Sequence, residues 1–162
     1  MIAVVGCGNA NRNDDGAGPH IVRLLKTRNL EARGPDVRLI DAGTDGAAAM
    51  FAARGCRSLI IIDACRSGSP PGAVFELPGA EVEQRYAPAL NLHDFRWDHA
   101  LDSGRRLFKD DFPSDVVVLL IEAANVDFGL ELSPVVAAAA EIVADRVEAL
   151  VIELKGGWAR RA

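Results

Sequence analysis

The stretch Ile2-Ala3-Val4-Val5-Gly6-Cys7-Gly8-Asn9-Ala10-Asn11-Arg12-Asn13-Asp14-Asp15-Gly16-Ala17-Gly18 decides the fold. It opens as a short apolar run stopped by glycine, which reads as a buried strand. A polar, glycine-rich turn follows. A helix is expected from near Gly16 or Pro19, where Ile21, Leu24 and Leu25 form an apolar stripe opposite Arg23 and Lys26. Strand, turn and helix in that order are the opening unit of an α/β sheet. The turn has the outline of a phosphate cradle, but a cradle needs backbone N–H groups and no nearby negative charge. Asp14 and Asp15 stand where phosphates would sit. Two acids there point to a cation or a polarised water instead.

The dinucleotide reading fails on the same residues. A G-x-G-x-x-G fingerprint needs glycine at position 11, which is Asn11, and Asp41 lies too far on for the ribose carboxylate.

Working outward, Val37 to Ile40 reads as a second strand ending at Asp41, and Ala47 to Arg54 as an alanine-rich helix. The continuous apolar run Leu59-Ile60-Ile61-Ile62, closed by Asp63, is the pattern of a strand covered on both faces. Pro70-Pro71-Gly72 turns the chain into a fourth strand, Ala73 to Leu77, with edge character, and residues 78–96 read as irregular. Trp97 to Phe108 has helical spacing, Val116 to Ile121 is a further central strand, and Ser133-Pro134 supplies an N-cap and first-turn pair for a helix to about Leu150. The result is one α/β domain over residues 1–150: a mostly parallel, twisted sheet of about five strands flanked by helices on both faces. Residues 151–162 read as a C-terminal tail.

With 162 residues, 49% hydrophobic and 25% charged, the chain has ordinary globular composition and room for one core. A formal net charge of −5 without a long basic run excludes nucleic acid as a natural partner. Apolar runs fall short of a bilayer span, and Met1 leads into the first strand with no positive leader, so no membrane association and a cytoplasmic location are expected. Cys7, Cys56 and Cys65 form no disulfide framework. Nothing resembles a dimer seam, so a monomer is expected.

In open α/β sheets the functional crevice lies beyond the carboxyl ends of the strands. Polar residues recur there: Asn9, Asp14 and Asp15 after the first strand, Asp41 after the second, Asp63 after the third, Glu122 and Asn125 after the last. One of Asp14 and Asp15 can be assigned to capping the following helix, and Asp41 to a turn. Asp63 is harder to assign structurally, because a carboxylate closing a buried strand is costly unless paired or ligating. Cys65 follows it by two residues, so a Cys–His pair with His93 is an alternative, set against a small buried thiol. His20 flanks the core, His99 falls on the 97–108 helix, and His93 sits in a loop, where site residues are common. Asp15, Asp63 and His93 together offer two oxygen donors and one imidazole, a set suited to nickel or zinc with open coordination positions.

The ordered motifs resemble the hydrogenase maturation proteases, the endopeptidases that trim the C-terminal extension of the [NiFe]-hydrogenase large subunit. The resemblance rests on Gly6-x-Gly8-Asn9 with Asp14-Asp15-Gly16-x-Gly18, on Asp41-Ala-Gly-Thr44-x-Gly46, on Leu59 to Ala64 with Pro71-Gly72, on His93, and on Gly129 to Pro134. It implies a metal-contacting and catalytic trio of Asp15, Asp63 and His93, with His99 as the alternative histidine. Gly8, Asn9, Asp14 and Asp41 are implied as supporting residues. Many members carry Glu at the place of Asp15. The implied partner is the [NiFe]-hydrogenase large-subunit precursor, cleaved after nickel insertion, with nickel carried by that substrate rather than held permanently. A non-proteolytic, nickel-handling chaperone of the hydrogenase is the alternative outside enzymology.

Overall fold

A computed structural model of the chain describes residues 1–33, 36–83 and 97–161, with side chains to residue 157. Its strands are β1 (Ile2–Cys7), β2 (Val37–Gly43), β3 (Ser58–Cys65), β4 (Val74–Pro78) and β5 (Asp115–Glu122). Its helices are α1 (Ala17–Thr27), α2 (Gly46–Ala53), α3 (Gly79–Glu83), α4 (Trp97–Phe108) and α5 (Pro134–Arg161). The strands form one sheet in the order β2-β1-β3-β5-β4, parallel except for the β4 edge, which pairs antiparallel with β5. Pro78 ends that edge strand, a position where a missing N–H is tolerated. The α/β class, five strands and two-sided helical cover agree with the sequence reading.

Side-chain alternation divides the core into two layers. Ile2, Val4, Ile60, Ile62, Leu119 and Ile121 face α1 and α5, meeting Ile21, Leu25, Val143 and Val147. Ala3, Val5, Leu59, Ile61, Val116 and Val118 face α2 and α4, meeting Ala49, Met50, Trp97 and Leu101. Full burial of each such aliphatic side chain contributes about 1.5–3 kcal/mol, so β1 and β3, covered on both sides, anchor the domain. On the surface, Arg28, the C-cap of α1, clamps α5 through Glu141 at 2.6 Å and Asp145 at 2.7 Å.

α1 and α2 lie on opposite faces, so the chain reverses direction across the sheet between β1 and β3. Such a switch point opens a crevice at the strands' carboxyl ends. The loop after β1 and the end of β3 border it.

Four sequence expectations are corrected. α5 continues past Leu150 to Arg161, because Val151 is buried and Leu154 packs against the same core. Residues 79–83 are helical, not irregular. Strand β3 runs on through Asp63 to Cys65, because β5 continues alongside and supplies ladder partners as far as Glu122. Neither Asp14 nor Asp15 caps α1: its N-cap is Gly16, without a side-chain bond. His93, in the segment 84–96, lies outside the described residues. Among the described residues no helix is long and apolar enough to cross a membrane.

Candidate active site

The loop after β1 is shaped by hydrogen bonds to its own acids and to β2. The register of β1 against β2 shifts between Gly6 and Cys7, and the Gly8 N–H donates to the Gly43 carbonyl at 2.8 Å. Gly8 has φ +122°, and a Cβ there would collide with the Asp15 carbonyl and lie 3.2 Å from Asp63 Oδ1. Only glycine lets the chain pass between the two acids. The Asn9 N–H donates to Asp15 Oδ2 at 3.0 Å, while Asn9 Oδ1 accepts from the Asn11 N–H and shapes the turn.

Asp63 is buried, 4% exposed, yet well satisfied. Its Oδ1 accepts from the Ala64 N–H at 2.8 Å, and its Oδ2 accepts from the Trp97 indole N–H at 2.6 Å. Asp15, Asp63, Asp45 and Trp97 line one cavity around Gly8 and Thr44, about 110 Å³ as bounded by the described residues. That volume holds a few waters or a few reacting atoms; a drug-sized or dinucleotide ligand needs several times more. Among the described residues no three His, Cys, Asp or Glu side chains are grouped to hold a metal ion. The geometry therefore brings Asp15 and Asp63 to one cavity. His99, its side chain a quarter exposed beside Asp98 on α4, does not line it.

The other rim acids have structural work. Asp14 is fully buried and accepts from the N–H groups of Ala124 (2.9 Å), Asn125 (2.8 Å) and Ser133 (2.6 Å) and from the Ser133 hydroxyl (3.0 Å). Asp41 Oδ1 accepts from the Gly43 N–H at 3.1 Å, the turn role, and its other oxygen lies 3.8 Å from Arg23. Glu122 gathers the N–H groups of Ser67 and Gly68, the Ser67 hydroxyl and the Cys65 thiol. Those donors, led by the Ser67 hydroxyl, pull its carboxyl down to about 2.

A family model described as hydrogenase maturation protease (HycI) matches residues 19–150. The chain belongs to the hydrogenase maturation protease family. It is similar to a protein named coenzyme F420 hydrogenase subunit delta from Methanothermobacter thermautotrophicus, 30% identical over 137 residues covering 80% of this chain and 82% of that one. It is 30% identical over 156 residues to the hydrogenase expression/formation protein HupM of Azotobacter chroococcum, covering 90% of this chain and 72% of that one. Its fold matches the hydrogenase maturating endopeptidase HybD from E. coli with a TM-score of 0.79 and 25% identity, over 94% and 93% of the two chains. HybD from Thermococcus kodakarensis, a [NiFe] hydrogenase maturation protease, matches with a TM-score of 0.73 and 25% identity, over 93% and 98%.

In this hydrogenase maturation protease, sequence reasoning missed two cavity residues. The sequence marks Trp97 only as the start of a helix, and nothing local marks it as the donor to Asp63. Asp45 had a visible signal, since an acid directly before Gly46 and an alanine run is an N-cap pattern. Its Oδ1 does accept from the Ala48 N–H at 3.1 Å. The thiol alternative fares poorly here. Burial first, then the hydrogen bond to Glu122 and the nearby acids, push the Cys65 thiol up to about 12. A thiol held so far above neutrality is a poor nucleophile.

Proposed function

We propose that this protease removes the C-terminal extension of a [NiFe]-hydrogenase large-subunit precursor after nickel insertion, and that it recognises the bound nickel. Asp15, Asp63 and His93 are the proposed contacts to that nickel, with the metal belonging to the substrate. The observation that carries this reading is the pair of carboxylates, Asp15 and Asp63, flanking Gly8 on one small cavity at the sheet's switch point. Oxygen donors, completed by one imidazole, suit a nickel ion with open positions. A coordination bond that only the loaded precursor can offer makes nickel occupancy a condition for cleavage, since binding energy absent from the unloaded precursor cannot be spent on the reaction. The small volume also fits a scissile segment and its metal better than a separate organic ligand.

The test compares precursor loaded with nickel and the same precursor without it, each incubated with the purified protein and followed by mass spectrometry. Loss of the C-terminal extension from the loaded form alone is the expected result. Equal cleavage of both forms overturns nickel recognition, and no cleavage of either leaves the chaperone role in its place. Asp63→Asn is expected to reduce cleavage of the loaded form strongly in a protein that still folds, with a lower thermal midpoint because its amide nitrogen must face one of the two N–H donors that Asp63 accepts from.

A further inference from the structure

Among the described residues, Phe128 and Leu130 are the most exposed large apolar side chains, 85% and 80% accessible. They sit in the segment joining β5 to α5, and that segment is firmly held. The buried Asp14 carboxylate fastens both of its ends, at Ala124–Asn125 and at Ser133. Its middle is zipped to the loop after β1: the Asn13 N–H donates to the Gly129 carbonyl at 2.9 Å, and the Gly129 N–H to the Asn11 carbonyl at 3.0 Å. Arg12 adds a bond from Nε to the Val126 carbonyl at 3.0 Å and lays its guanidinium 5.3 Å from the Phe128 ring centroid. A Cβ at Gly129 would overlap the Asn13 amide, so the two loops touch without a gap.

A connection that needed only to close the fold would turn its phenylalanine and leucine inward. Here a buried carboxylate and a ladder of backbone bonds hold them outward, against the loop after β1 that carries Asp14 and, one residue on, Asp15. We infer that Phe128, Leu130 and Arg12 form a docking ledge for the folded body of the protein substrate, an apolar patch on the precursor that carries the scissile extension. Three observations select that occupant. The ledge is continuous with the loop that carries Asp15, through the backbone bonds of Gly129 to Asn11 and Asn13. The cavity as bounded by the described residues is small, and a protease for a protein substrate needs further surface to bind it. An exposed aromatic beside an arginine on a rigid support is the composition of an interface anchor. The identity of the precursor rests on the function proposed above; the ledge itself does not.

The experiment measures cleavage of the full-length nickel-loaded precursor together with its direct binding by calorimetry. The proteins compared are wild type, Phe128→Ser, Leu130→Ser and the double variant, each checked for an unchanged thermal midpoint. Ile152→Ser, on equally exposed α5 surface, is the control. Each single substitution is expected to raise KM and Kd about 10-fold and the double about 100-fold, with kcat nearly unchanged and the control like wild type. Wild-type binding and cleavage that the double variant retains in full overturn the ledge. Absence of any wild-type binding overturns both the ledge and the proposed function. Binding without cleavage, weakened by the double variant, supports the ledge while removing the proteolytic reading. A concentration-dependent wild-type dimer that the double variant abolishes assigns the surface to a second copy of the chain, and overturns the ledge.

Discussion

The indole N–H of Trp97 donates to Asp63 Oδ2 across 2.6 Å, with both side chains buried at the cavity. The bond joins the first residue of α4 to a strand acid whose other oxygen accepts from the Ala64 N–H. It fixes the rotamer of the carboxylate.

Trp97→Phe removes this donor and also vacates part of the volume the buried indole fills. Losing a hydrogen bond to a buried carboxylate costs about 1.5–3 kcal/mol, so urea unfolding is expected to show a loss of at least that size. Precursor cleavage is expected to fall about 10–100-fold, the usual effect of freeing a carboxylate from its orienting partner. Wild-type cleavage in a variant of reduced stability would show that orientation of Asp63 is not needed.

Asp14 and Asp15 are adjacent and chemically identical, yet opposite effects are expected from them. Asp14→Ala strands four donors that now converge on one buried carboxylate, and a loss of about 3–5 kcal/mol is expected on unfolding in urea. Asp15→Asn keeps an acceptor for the single Asn9 N–H, so stability is expected to change by less than about 1 kcal/mol. Cleavage in that variant is expected to be lost. The reverse pattern would exchange the two roles.

Glu122 links stability to pH. Its carboxyl lies at about 2 in the folded protein, below the ordinary 4.5. A lowered folded-state value means the contribution is complete above pH 4.5 and is lost as pH falls through about 2. Thermal midpoints measured across that window are expected to decline in wild type and to decline less steeply in Glu122→Gln. Parallel curves for the two proteins would remove Glu122 as a source of acid sensitivity.

Cys65→Ser retains a hydroxyl to donate to Glu122 and removes the sulfur two residues beyond Asp63 on β3. Cleavage of the loaded precursor is expected to remain within about twofold of wild type, since the thiol is held protonated in the native protein. Complete loss of cleavage with an unchanged fold would restore a thiol nucleophile.

What the sequence by itself determined is the alternation of strands and helices and the two-faced core. Leu59 to Ile62 announces a doubly covered strand because period-two side-chain geometry is a local property of the backbone, and the turn residues after each strand fix where the rim lies. Asp15 and Asp63 were legible as rim acids for the same reason. The tertiary structure alone decided which carboxylate does what. Asp14 meets Ser133 at a separation of 119 residues, and Trp97 meets Asp63 at a separation of 34. No local pattern encodes such pairs, because a hydrogen bond forms where the folded chain returns to itself. The strand order, the antiparallel edge and the outward hold on Phe128 follow from those same long-range returns.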